Sequence, residues 1–176
     1  MITGYEVSPK SRKDLRGYAE AVRNVFCDEP YFDIVTFLDV VLPKTVSDFT
    51  FEIVESSEID GAHGLTDPTN GIIKIANKVY EGAVNGNGRD RLTLAHEFGH
   101  YLIHTDVKFA RKITASSKPY FDSEWQANAF AGELLMFYKH LNGIKTPSDM
   151  VNRFKVSNHA AQIQFDTFER EGLIKG

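Results

Sequence analysis

Apolar residues return at helical spacing between residues 9 and 26, where Leu15, Tyr18, Ala19, Val22, Val25 and Phe26 share a stripe behind Pro9. The pattern predicts an amphipathic helix with a charged outer face. Asp33–Leu42 keeps helical spacing and is expected to stop at Pro43. The period then changes to two. Phe49-Thr50-Phe51-Glu52-Ile53-Val54 alternates and is rich in strand formers. The turn signal Asp67-Pro68-Thr69-Asn70-Gly71 separates His63–Thr66 from Gly71–Ile75, which reads as a hairpin. Asn85-Gly86-Asn87-Gly88 is a loop, after which helical spacing returns.

One further helix is expected from about 89 to 104 and another from about 123 to 137, the latter capped by Asp122 or Ser123. A polar linker over roughly 106–120 joins them. Thr146-Pro147-Ser148-Asp149 combines a cap, a first-turn proline and an acidic third position, and Ser157 offers a second cap. Helices, then a small sheet of about three strands, then helices again indicate an α+β fold. We expect one main domain over residues 1–140 and a C-terminal helical appendage over 141–176 packed on it.

Composition narrows the class. A hydrophobic fraction of 42% suits a globular core, and a net charge of -4 gives no general attraction to nucleic acid. The single Cys27 has no partner for a disulfide or a cysteine-rich metal site; it fits a reducing compartment and reads as a small buried hydrophobe. Met1 to Glu6 lacks the basic-then-apolar pattern of a secretory signal, and no apolar run reaches bilayer length. A cytoplasmic location without membrane contact is the expectation.

The chemistry concentrates in His96-Glu97-Phe98-Gly99-His100, an H-E-x-x-H within a largely apolar helix. Four residues make about 400° of rotation, so the two imidazoles lie one turn apart on one face and can share a Zn²⁺ ion. Burying two histidines and a glutamate there is costly unless something satisfies them. Gly99 costs about 1 kcal/mol against alanine in a helix, and its missing side chain would let another element or a substrate pass close to the metal. A catalytic zinc site needs a third protein ligand. Glu124, Glu133, His104, His63, His140 and His159 are the candidates. Asn128 lies one turn after Glu124 on the same face, where it could hydrogen-bond a ligating histidine and hold its ring. Glu133, nine residues after Glu124, lies on the opposite side of that helix and reads as a solvated or core-edge carboxylate. His104 reads as a helix C-terminal residue, and His63 as a solvated strand residue. Arg89 and Arg91 are either surface charges of a first turn or contacts to carboxylates behind the site.

With both helices in view, the chain resembles the ImmA/IrrE family of metallopeptidases. The matching stretches are Arg89–His104 and Glu124–Met136, joined by Gly64-Leu65-Thr66-Asp67-Pro68 and Gly71–Ile75, over roughly 60–165. Phe137 stands where the family commonly has proline, which bears only on where that helix ends. The resemblance implies a zincin-like core, zinc on His96, His100 and Glu124, and Glu97 as catalytic base. It also implies a regulatory endopeptidase whose protein substrate is a helix-turn-helix repressor encoded nearby. A zinc-fold module that sequesters the repressor without cutting it is the alternative, and an intact Glu97 favours the enzyme.

In such a site Glu97 accepts a proton from the attacking water and passes it to the leaving amine. Tyr101, Tyr120, Tyr138 and His159 are candidates for a further electrophile. Substrate could add as a strand to an exposed sheet edge, expected at Gly71–Ile75. Residues 149–163 have a helix-turn-helix cadence, but 139–176 hold six Lys/Arg against four Asp/Glu, a weak charge for a DNA face. Met150, Val151, Phe154, Val156, Ala160 and Ile163 read instead as the core of a packed helical pair.

Overall fold

The computed structural model describes residues 4–105 and 118–174; the expected linker over 106–120 therefore falls mostly outside the described residues. Helix α1 (Arg12–Phe26) starts at a capping box in which Ser11 and Asp14 bond each other's backbone N–H groups. Its buried residues Leu15, Ala19 and Val22 fall at helical spacing. Pro9 lies outside the helix, because Ser11 caps it two residues later.

The second helical stretch does not stop at Pro43. It runs as α2 (Ile34–Thr36), a π-helical turn over Phe37–Val41, and α3 (Leu42–Thr45). Proline lacks an N–H and disrupts an ordinary helix interior. Here the wide turn places Pro43 in the first turn of α3, where no N–H is needed.

The sheet has three strands in the order β1 (Thr50–Val54), β3 (Ile72–Ala76), β2 (Gly64–Asp67). β1 runs parallel to β3, and β2 antiparallel to it. The hairpin is the expected one. Asp67 Oδ1 accepts from Thr69 N and Asn70 N, both at 3.1 Å. Gly71 has φ 69°, and a Cβ there would stand 2.1 Å from the Asp48 carbonyl oxygen. The expected free edge at Gly71–Ile75 is corrected: β3 is the central strand, and the edges are β1 and β2. Ile73 and Ile75 are fully buried, so the most apolar strand takes the middle.

Helix α4 (Asn77–Val84) follows β3 directly. The sequence pattern did not reveal it, since Ala76 at its N-cap makes no side-chain hydrogen bond. Helix α5 (Gly88–Ile103) is capped by Asn87, and α6 (Ser123–Leu135) by Asp122. The latter ends before Phe137. Helices α7 (Pro147–Phe154) and α8 (Asn158–Arg170) begin at Thr146 and Ser157, as their caps predicted. The architecture is the expected α+β fold. One hydrophobic core runs from Leu15 to Ile174 and takes in Met150, Phe154, Val156 and Ala160 of the C-terminal pair. Ile163 departs from expectation: it is half exposed, because Ala161, Gln164, Phe165 and Phe168 form the inward face of α8. Among the described residues no helix is long and apolar enough to cross a membrane.

Helices α5 and α6 carry the candidate site, and Gly99 sets how closely they approach. A Cβ at Gly99 would lie 3.2 Å from Ala127 Cα and 3.0 Å from a ring carbon of Phe130. The element that passes close to the motif is therefore α6.

Candidate metal centre

His96 and His100 project from one face of α5, with their Nε2 atoms 3.0 Å apart. Glu124, in the first turn of α6, faces both: Oε2 is 3.3 Å from His96 Nε2 and Oε1 is 3.2 Å from His100 Nε2. Among the described residues this trio is the group of donor atoms able to hold one metal ion. The fit can be tested on spacing. Ligands about 2.0–2.1 Å from a tetrahedral zinc stand roughly 3.3 Å from one another. The separation of the two imidazole nitrogens, and that of each from the nearer Glu124 oxygen, are of that size. Two imidazole nitrogens and a carboxylate also match the donor set of catalytic zinc sites.

Electrostatics agree with the geometry. Burial works to raise the Glu124 pKa, but the neighbouring His100 and His96 imidazoles outweigh it and hold the carboxyl well below its usual range. For His96, burial works to lower the pKa, and Glu124 with Glu97 reverses this, so it is raised. The attraction between the Glu124 carboxylate and the His96 imidazole shows that the site favours positive charge, as a cation site does.

Each histidine is also gripped from behind. His96 Nδ1 lies 2.9 Å from Asn128 Oδ1, the contact that Asn128's position on α6 anticipated. His100 Nδ1 lies 2.9 Å from His104 Nδ1, and His104 Nε2 lies 3.1 Å from Gln126 Oε1. His104 is buried at the C-cap of α5, where burial and His100 push its pKa down to about 4.

Glu97 is buried against β2 and lies near enough to His96 to act on its charge. Thr66 Oγ1 donates to Glu97 Oε2 at 2.6 Å and also lies 3.1 Å from the Glu97 carbonyl oxygen. Gly64 makes room for this carboxylate, since a Cβ there would fall 2.7 Å from Glu97 Cγ. Sequence reasoning missed Thr66, Gly64 and Gln126. Only the register of β2 against α5, and of α6 against α5, brings them in.

The remaining candidates are placed elsewhere. Glu133 is buried, not solvated, and bonds Arg12, Arg16 and Gln164. His63 is exposed, and His140 Nε2 is 3.5 Å from Asp28. His159 is exposed and lines a cavity of about 320 Å³ with Trp125, Leu92, Asn128 and Ile163. Tyr138 donates to Glu20, and Tyr101 packs edge-on against Phe49, so both hydroxyl-bearing rings are engaged away from the trio. Arg91 fits neither earlier reading. It is fully buried and donates to the carbonyls of Phe32, Phe154 and Lys155, tying α5 to the segments before α2 and after α7.

With this geometry established, comparison with known families is decisive. The peptidase family model described as the IrrE N-terminal-like domain matches residues 61–165. The chain belongs to this family. No curated protein matches the chain significantly. The matched span runs from the turn before β2 into α8, so it holds β2, both site helices and α7. It excludes α1, whose arginines nonetheless reach Glu133.

Proposed function

We propose that this peptidase-family protein is a zinc endopeptidase, with the metal on His96, His100 and Glu124 and with Glu97 as proton carrier. The carrying observation is the convergence of three donor atoms on one small region, with the carboxylate of Glu97, the residue after His96, held by Thr66. Bound zinc would supply Lewis acidity, making a water acidic and polarising a peptide carbonyl. Glu97 takes the proton from the attacking water and returns it to the leaving amine. Thr66 keeps the carboxylate pointed through Oε2, and Oε1 is the oxygen that acts on the water. Asn128 and His104 hold the imidazole rings in place from behind.

The substrate reading follows from the resemblance to ImmA/IrrE peptidases: an intracellular helix-turn-helix repressor, cut at one or a few bonds. Strand β2 is the sheet edge beside Glu97, and an extended segment adding to it would present a peptide bond to the site. The test is to incubate the protein with zinc and the repressor encoded beside it, and to follow fragments by mass spectrometry. Limited, zinc-dependent cleavage is expected. Operator release with no fragments would replace the enzyme by a sequestering module, and general digestion of casein would remove the regulatory role.

A further inference from the structure

The hydrogen bonds behind His100 form a chain with a direction. Gln126 is fully buried on α6. Its Nε2 donates to the Ser8 carbonyl at 2.9 Å and to the Tyr120 carbonyl at 2.8 Å. Two carbonyls demand the amide nitrogen there, so the amide oxygen must face His104. An oxygen facing His104 Nε2 at 3.1 Å requires a proton on that nitrogen. A buried neutral imidazole carries one ring proton, which leaves His104 Nδ1 as an acceptor. His100 Nδ1, 2.9 Å away, must then be the donor. In the neutral His100 ring the remaining nitrogen, Nε2, keeps its lone pair, and this is the atom that faces His96 and Glu124.

We propose that Gln126 and His104 are positioning residues that fix the tautomer of His100, holding its Nε2 unprotonated toward the metal site. The proposal rests on the zinc reading above for its consequence, but the tautomer itself needs no metal. A metal-ligating histidine commonly gives its other N–H to a carboxylate, carbonyl or water. Here a second histidine takes that place, and it can accept only because Gln126 claims its far proton. The chain ends on the N-terminal segment. Ser8 lies in the stretch where Val7 N donates to the Phe121 carbonyl and Lys10 N to the Tyr120 carbonyl. Residues well outside the catalytic motif thereby set the state of a ligand atom.

The decisive measurement uses the full chain, metal-free and labelled with ¹⁵N in histidine, at neutral pH. Long-range ¹H–¹⁵N spectra, assigned with single variants, show which ring nitrogen of each histidine is protonated. His100 is expected to carry its proton on Nδ1 and His104 on Nε2; a proton on His100 Nε2 would overturn the proposal. The second measurement is zinc affinity by competition with a chelator. His104→Phe removes the acceptor and should weaken binding about 10–100-fold. His104→Asn places an amide oxygen where Nδ1 stood and should recover most of that loss. A purely structural role for His104 predicts the opposite order, because a small polar residue fills the buried space worse than phenylalanine. Affinity in a folded His104→Phe equal to that of the parent would overturn the relay. Gln126→Met should leave His104 spread over both tautomers with a smaller loss of affinity; an unchanged His104 spectrum there would remove Gln126 from the chain. If His104→Phe fails to fold, the parent spectrum still decides. A parent protein that binds no zinc but shows the expected tautomers would sink the zinc reading alone.

Discussion

Helix α6 carries two glutamates at opposite ends, and the fold treats them oppositely. Glu133 is enclosed. Its Oε1 accepts from Arg12 Nη1, Arg16 Nη2 and Gln164 Nε2, and its Oε2 from Arg16 Nε. Among the described residues Glu124 pairs with two imidazole nitrogens that have their own partners behind them, and its side chain keeps 24% exposure against none for Glu133. A carboxylate saturated by fixed cations has no capacity left for a ligand. One facing two imidazole nitrogens keeps capacity for a cation. Glu97 belongs with Glu124 in this respect, since Thr66 occupies one of its oxygens and, among the described residues, it forms no salt bridge with a Lys or Arg.

The largest effects should come from the carboxylates left open. Glu97→Gln keeps shape and removes proton acceptance, so cleavage should fall about 10²–10⁴-fold with zinc retained. Unchanged cleavage in a zinc-loaded variant would take Glu97 out of the reaction. Glu124→Ala removes a donor of the trio and should weaken zinc retention by more than the roughly 10–100-fold typical of losing a supporting partner. Elemental analysis after dialysis reads this directly, and full occupancy would move the third ligand to another residue.

The enclosed carboxylate should answer differently. Glu133→Ala leaves Arg12 and Arg16 facing each other without their shared anion. Breaking a buried pair costs about 3–5 kcal/mol, and the lower end applies because both guanidiniums keep some water. Chemical unfolding should therefore show a loss of about 3 kcal/mol, with zinc affinity of the folded fraction unchanged. A fall in affinity without a fall in stability would erase the distinction between the two ends of α6.

How far the sequence went follows the same division. The H-E-x-x-H spacing, the Asn128 position and the capping signals at Ser157 and Thr146 are local, and local rules read them. The placement of Glu124 and Glu133 on opposite faces of α6 was legible for the same reason. Glu133's burial was not, because its partners Arg12, Arg16 and Gln164 lie 121, 117 and 31 residues away. Thr66 on Glu97, Gln126 behind His104, and Arg91 on three backbone carbonyls likewise depend on how elements dock. The central place of β3 was misjudged because a hairpin specifies one neighbour and says nothing of the other, and β1 took it in parallel. Pro43 misled because its rule assumes an ordinary α-helix, and the π turn before it removes that premise.

The smallest effect sharpens the comparison from outside. Ser11 begins α1, accepting from Asp14 N at 3.2 Å, while its own N–H and hydroxyl donate to Asp14 Oδ2 at 2.8 and 2.6 Å. Arg12, the next residue, is one of the two cations on Glu133. Ser11→Ala should cost about 1 kcal/mol, as loss of an N-cap does, by fraying the turn that delivers Arg12. The Ser11 hydroxyl, then its backbone N–H, hold the Asp14 carboxyl below its ordinary pKa. A depressed pKa contributes stability above the unfolded carboxylate value, and that contribution is lost as pH falls through the folded one. Parent and variant should thus differ near neutrality and converge in acid, in unfolding curves taken across pH. Zinc affinity should stay the same throughout the neutral range, because the Glu124 end of α6 shares no hydrogen bond with Ser11, Asp14 or Arg12. An affinity that moved with Ser11→Ala would mean that the closed carboxylate and the open one are coupled along the helix, and that α6 acts as a single lever between them.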